Sequence, residues 1–207
     1  MTGAFITFEG GDGAGKTTQA ALLEKWLIGR GHSVVRTREP GGTDLGVKIR
    51  NILLHGDETV FDKAEALLYA ADRAQHVSAL VRPALSAGKI VVQDRYIDSS
   101  LAYQGAGRVL ETDQVRDLNE WATDGLWPDL TILLDLEPGL AAARRSDRGS
   151  DSDRIEREKL DFHAAVREGF LKLAKDNLDR TLICDAKLPE DQIALQIQER
   201  IKKQLSL

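Results

Sequence analysis

An α/β fold is predicted, a five-stranded parallel sheet flanked by helices on both faces. Three observations point to it. Short apolar runs rich in Val, Ile, Leu and Thr recur along the chain, the composition of buried strands. Longer amphipathic stretches separate them, which implies parallel strands joined by right-handed crossovers. The first apolar run is followed at once by a glycine-rich turn that opens a helical pattern.

The elements follow in order. AFITFE is the first strand, and TTQAALLEKWLIGRG is a helix closed by Gly31. SVVRTR is the second strand; the stretch TREPGGTDLGVKIR continues past it as a loop around a Pro-Gly-Gly turn. DKAEALLYAADRAQHVSALVRPALSAG reads as a long helix that Pro83 should kink or end at its first half. KIVVQD is the third strand and leads into RYIDSSLAYQG. TDQVRDLNEWATDG is helical, LTILLDL a strand, and PGLAAARRS a short helix. RRSDRGSDSDR, residues 144–154, is polar and charge-mixed and breaks the pattern; it is either a solvated linker or a short mobile lid. RIEREKLDFHAAVREGFLKLAKDN is a helix, RTLICDA the fifth strand, and PEDQIALQIQERIKKQL the last helix, with Pro189 at its first helical position.

The bulk composition narrows the function. A chain of 207 residues suits a single domain, with 42% apolar and 29% charged residues as in ordinary globular proteins. A net charge of −5 argues against a nucleic-acid polymer as main partner. No apolar run could span a bilayer, and no signal peptide is recognisable, so a cytoplasmic protein with no membrane partner is expected. Cys184, the only cysteine, reads as a buried small residue rather than a reactive thiol. His32, His55, His76 and His163 lack metal-ligand spacing.

The strongest motif is Gly10-Gly11-Asp12-Gly13-Ala14-Gly15-Lys16-Thr17, which fits G-x-x-x-x-G-K-[ST] between a strand and a helix. Glycines let backbone N–H groups converge on phosphates, and the helix N-terminus adds its positive end. Lys16 is placed to reach the outer phosphates of ATP, and Thr17 to hold Mg²⁺, with Thr18 beside it. The motif implies a P-loop NTPase architecture. Asp12 is the anomaly, an acid inside an anion cradle.

The acceptor side is written in three further stretches. Asp94 ends the third strand beside the cradle, where such sheets place ligands, and is a second candidate metal ligand. Arg95 follows; its planar fork suits a bridge between two phosphoryl groups, although a structural Asp94–Arg95 ion pair is the alternative. If the next segment is helical, Ser100, Tyr103 and Gln104 share a face. Tyr69 and Arg73, four apart, offer a ring and a guanidinium to a planar base; a core tyrosine with a snorkelling arginine is the plain alternative. Arg38, Glu39 and Arg50 surround the Pro-Gly-Gly turn, where arginines could grip a monophosphate.

FEGGDGAGKTTQ, REPGGT, ALLYAADRA, DRYIDSSLAYQG, PDLTILLDL and DRIE together resemble the bacterial thymidylate kinases across nearly the whole chain. The resemblance implies ATP + dTMP → ADP + dTDP, with Mg²⁺. It places Tyr69, where the family more often has Phe, against thymine, and Arg73, Ser100 and Gln104 on the base's polar edge, with Ser99 close by. Arg50 and Arg95 hold the acceptor phosphate near Glu39, and Tyr103 lies under the sugar. Asp12 meets the 3′-hydroxyl. No residue between Gly10 and Lys16 is basic, whereas the lid region carries Arg144, Arg145, Arg148 and Arg154, so a lid arginine is expected to complete catalysis beside Lys16 and Arg95. Arg148 and Arg154 are the first candidates. Ala186 and Lys187 would flank the ATP base. The resemblance also implies a homodimer. Two rivals stay open at this point: a nucleoside monophosphate kinase for another base, and a GTPase-like switch or non-catalytic nucleotide-binding module. An N-K-x-D guanine loop is absent.

Overall fold

In the computed structural model, residues 3–56, 59–108, 110–146 and 153–205 are described. The order is β1 (Ala4–Glu9), α1 (Lys16–Ile28), β2 (Val34–Arg38), α2 (Asp44–His55) and α3 (Asp62–His76). After α3 a π-helical turn, Val77–Val81, leads to α4 (Arg82–Ser86) and β3 (Ile90–Asp94). Then come α5 (Ile97–Ser100), running into a π-helical segment Leu101–Gly107, α6 (Thr112–Thr123) and β4 (Leu130–Asp135). The order closes with α7 (Pro138–Ser146), α8 (Leu160–Asp176), β5 (Thr181–Asp185) and α9 (Glu190–Leu205). The five strands form one sheet in the order β2-β3-β1-β4-β5, and every pairing is parallel.

Alternation along β1 shows why both faces must be covered. Ile6 and Phe8 pack with Leu23 and Leu27 of α1 and Ile193, Ile197 and Ile201 of α9. Phe5 points to the other face, among Val77, Val81, Tyr96, Ile97 and Val115. Cys184 is fully buried in the first of these clusters, and burial pushes its thiol pKa up to about 12. It is an inert core residue, as expected.

The strands fall where the apolar runs placed them; several helices depart from expectation. TDLGVKIRNILLH is a helix, not a loop: the Thr43 hydroxyl caps it by accepting from the Gly46 N–H at 3.0 Å, and Ile49, Leu53 and Leu54 face the core. Around Pro83 the helix is not one continuous α-helix: α3 ends at His76, before a π-helical turn. The Arg82 N–H reaches back to Val77 through a π-helical turn, and Pro83 sits where α4 begins. The helix expected from residue 154 begins at Leu160. Asp153 holds the intervening DRIE as a separate turn: its Oδ1 accepts from the Ile155 and Glu156 N–H groups at 2.9 Å each. Pro189 stands one place before the first helical residue, its carbonyl accepting from the Ile193 N–H at 3.1 Å. Of the lid predicted over 144–154, residues 147–152 lie outside the described residues. Among the described residues, no helix is long and apolar enough to cross a membrane.

Candidate active site

The register of the sheet builds the site. Phe8 pairs with Asp94, so β1 and β3 end together, and the loops that leave them meet at one rim. Residues 10–15 wrap from β1 into α1. Gly13 has φ 92°, and a Cβ there would come 2.8 Å from the Ala141 carbonyl oxygen; the loop can press this closely on α7 only as glycine. Lys16 Nζ donates to the Gly10 and Gly11 carbonyls at 3.0 and 2.8 Å. Burial, with the Arg95 charge, lowers its pKa to about 8. The Thr17 hydroxyl donates to Asp94 Oδ2 at 2.8 Å, bringing together the two residues expected at the metal.

Arg95 leaves β3 with φ 70°, a left-handed conformation unusual for a side chain of its size, and its N–H is held by the Phe8 carbonyl at 2.9 Å. That backbone turn sends the guanidinium back over the loop. Nη1 donates to the Gly10 carbonyl and to Ser99 Oγ, both at 3.0 Å. Nη2 donates to Asp12 Oδ1 at 2.6 Å and to the Tyr103 hydroxyl at 3.2 Å. The Tyr103 hydroxyl in turn donates to Asp12 Oδ2 at 3.0 Å. Burial works to raise the Asp12 pKa, but the Arg95 and Lys16 charges and these bonds hold it well below the usual carboxylate range. The acid in the anion cradle is therefore held by Arg95 and Tyr103, at the border of two cavities.

Two cavities meet across this junction. The larger, about 990 Å³, is lined by Asp12, Gly13, Ala14, Gly15, Lys16, Thr17 and Thr18, and by Asp94, Arg144 and Ala186. The Arg144 guanidinium is held on its wall, donating to the Ala186 carbonyl at 3.0 Å. Gly10 and Gly11 are not among the residues lining it; they border a separate small cavity, their carbonyls accepting from Lys16, and Lys187 turns to Asp185. The smaller cavity, about 80 Å³, is lined by Tyr69, Arg73, Ser99, Ser100, Tyr103 and Gln104 among others. Asp12, Glu39, Arg50, Arg95 and Asp153 line both. Whereas Arg38 lines only the larger cavity, every residue that the resemblance assigned to the acceptor nucleotide thus borders the smaller one. Ser100, Tyr103 and Gln104 do so from the end of α5 and the π-helical segment beyond it.

Some expected residues have more partners than the sequence could show. Arg73 is fully buried, its Nε donating to Glu39 Oε2 at 2.7 Å, Nη1 to Ser100 Oγ at 2.9 Å and to Asn119 Oδ1, and Nη2 to the Tyr96 carbonyl at 3.0 Å. Glu39 Oε1 lies 2.8 Å from His76 Nδ1, whose Nε2 lies 2.8 Å from the Thr37 hydroxyl. Arg154 is drawn away from the larger cavity, donating to the Leu53 carbonyl at 2.8 Å and to Glu65. Arg148 and the side chain of Arg145 lie outside the described residues. Sequence reasoning missed Glu9, Glu65, His76, Asn119 and Asp153. Glu9 is buried beneath the junction, accepting from the Tyr96 N–H at 2.8 Å and the Ser99 hydroxyl at 2.6 Å. Burial and the Asp98 charge raise its pKa to about 7. Its place two residues before Gly11 in FEGG was the only signal.

The thymidylate kinase family model matches residues 8–197. The thymidylate kinase of Leifsonia xyli subsp. xyli is 58% identical over 199 residues, covering 96% of this chain and 94% of that protein. That of Clavibacter sepedonicus is 56% identical over 200 residues, covering 97% and 95%. The crystal structure of thymidylate kinase from Ehrlichia chaffeensis superposes with a TM-score of 0.79 at 33% identity, over 97% of this chain and 99% of that one. With a family model over most of its length and relatives above half identity, the chain belongs to the thymidylate kinase family.

Proposed function

We propose that this chain is a dTMP kinase that transfers the γ-phosphoryl group of ATP to dTMP, giving ADP and dTDP for dTTP synthesis. One observation carries the reading: a phosphate cradle and a polar, aromatic-walled cavity share a border at which Asp12, Arg50 and Arg95 converge. ATP lies in the larger cavity with its phosphates on residues 10–18. dTMP lies in the smaller, its base against Tyr69 and its phosphate at Arg50 and Arg95.

The protein needs to do little covalent chemistry. Transfer is accelerated by holding donor and acceptor in line and by neutralising charge on the moving group. Lys16 reaches the outer phosphates, and Arg95, already oriented by Asp12, Ser99 and Gly10, bridges to the acceptor phosphate. Tyr103 lies under the deoxyribose, and Asp12 accepts from its 3′-hydroxyl. Thr17 and Asp94 are adjacent hard oxygen donors beside the cradle, a set that fits Mg²⁺; with the Thr17 proton on Asp94, the hydroxyl lone pairs are free for an ion. Bound there, Mg²⁺ would offset phosphate charge. A lid arginine, Arg148 or Arg154, closes over the phosphates, and closure excludes water.

The enzyme works in the cytoplasm as a homodimer. Leu45, Ile52, Phe61 and Leu67, on or next to the neighbouring helices α2 and α3, are exposed apolar groups that a second copy would cover. Initial rates of ADP formation with dTMP, dUMP, dCMP and AMP test the central reading. A dTMP-dependent rate well above the others supports it. Equal or greater use of AMP would assign the pocket to another base, and ADP release independent of any monophosphate would favour a switch or module.

A further inference from the structure

Glu65, on α3, is a completely buried carboxylate that is not among the described residues lining the smaller cavity. Three side chains donate to it. Gln104 Nε2 reaches Oε1 at 3.0 Å, Arg108 reaches both oxygens at 3.3 Å, and Arg154 Nη2 reaches Oε2. Burial works to raise its pKa, but the bonds from Arg108, Gln104 and Arg154 prevail and lower it. The group is an anion, and an anion only accepts.

That settles the orientation of a neighbour. An amide's nitrogen and oxygen are told apart by their partners, and the atom of Gln104 against this carboxylate must be the nitrogen. Its carbonyl oxygen is then turned away from Glu65, and Gln104 is a wall of the acceptor cavity. The other polar groups on that wall differ. Arg73 can only donate, and Ser100 Oγ already accepts from Arg73, which leaves its O–H to donate.

We propose that Glu65 selects the base edge of the acceptor nucleotide: by holding the Gln104 amide it presents a carbonyl oxygen to the pyrimidine's ring nitrogen, so an imide N–H is accepted and the bare ring nitrogen of cytosine is refused. The inference rests on the smaller cavity being the dTMP site. Facing cytosine, two acceptors would meet and each would lose a partner, the kind of mismatch that discriminates most strongly. Glu65 is a positioning residue; it acts through Gln104.

The test compares kcat/KM for dTMP, dUMP and dCMP, at saturating ATP, in wild type, Glu65→Gln, Gln104→Met and the double variant. Glutamine at 65 can accept or donate, so it frees the Gln104 amide to show either end. The dTMP:dCMP ratio is expected to fall at least about tenfold in Glu65→Gln. The dTMP:dUMP ratio, which compares two imides, should hold within about twofold, and the double variant should be no less selective than Gln104→Met. Equal losses on all three acceptors would show a merely structural anchor and overturn the proposal. If circular dichroism shows Glu65→Gln unfolded, Gln104→Met, which keeps both arginine partners of Glu65, must alone lower the dTMP:dCMP ratio; an unchanged ratio overturns it. Wild type preferring AMP would instead defeat the reading of the site, a separate outcome visible before any variant is made.

Discussion

Arg95 Nη2 lies 2.6 Å from Asp12 Oδ1, which pairs the acid of the phosphate loop with the first residue beyond β3. The pair spans the border of the two cavities, and it explains why a carboxylate is tolerated inside an anion cradle. Its charge is matched before any phosphate arrives. Replacing Asp12 by Asn would keep the shape but weaken the hold on Arg95 and on a 3′-hydroxyl. Charged hydrogen bonds of this kind correspond to about 10- to 100-fold. Steady-state kinetics of Asp12→Asn should show that loss in kcat/KM for dTMP, with KM for ATP little changed. Unchanged turnover and affinity for dTMP would remove the assignment.

Lys16 is predicted to impose a pH dependence on ATP binding. Its pKa is lowered to about 8, so in the empty site it loses its charge within an accessible range. Phosphate anions bind the charged form, so affinity should fall by up to about tenfold per pH unit above that value. Calorimetric titration of a non-hydrolysable ATP analogue from pH 7 to 9 measures it. In Lys16→Arg the guanidinium stays charged and the slope should disappear.

Glu9 should depress stability at neutral and alkaline pH. Its folded pKa is about 7 against an ordinary 4.5, so the folded state binds the proton more tightly. Its contribution is therefore best below the unfolded value and is lost as pH rises from about 4.5 to about 7. Glu9→Gln can still accept from the Tyr96 N–H, and Ser99 can rotate to accept from its amide. Denaturant unfolding should find the variant stabilised relative to wild type by on the order of 2–3 kcal/mol at pH 8, with most of that gain absent at pH 4.5.

The lid arginines should act on the chemical step. Arg154 is bound to Glu65 and the Leu53 carbonyl, so it must leave those partners to reach the phosphates, whereas Arg144 already lines the larger cavity. Single-turnover rates of Arg148→Ala and Arg154→Ala are the check. At least one should fall by about 10³-fold or more, as for arginine fingers elsewhere. Wild-type rates in both would take the role away from these two residues.

How much of this was legible in the sequence follows from what each signal depends on. The strands were readable because a sheet covered on both faces demands continuous apolar runs, and the phosphate loop because its glycines and Lys16 are contiguous. Among the candidate acceptor residues, Glu39 and Arg95 stand directly after strand ends, whereas Tyr69 and Arg73 lie within α3 and could be named individually only through the family resemblance. Helix α2 was hidden by its Pro-Gly-Gly approach and by Gly46 within it; its Thr43 cap was the available clue. The π-helical segments could not be read, since no residue pattern separates them from an α-helix before Pro83 or after Ser100. Glu65, His76 and Asn119 look like surface polar residues on amphipathic helices. Only the crossing of α3 with α6 and with the segment beyond α5 turns Asn119 onto Arg73 and Glu65 onto Gln104, and His76 is turned inward onto Glu39 beyond β2.

The most direct measurement is a crystal structure with dTMP and a non-hydrolysable ATP analogue bound together. The thymine ring is expected against Tyr69 with Gln104 at its ring nitrogen, and the dTMP phosphate on Arg50 and Arg95, end to end with a nucleotide on residues 10–18. Thymidine monophosphate seated away from the cavity of Tyr69, Tyr103 and Gln104, or a phosphate out of reach of Arg95, would contradict that arrangement.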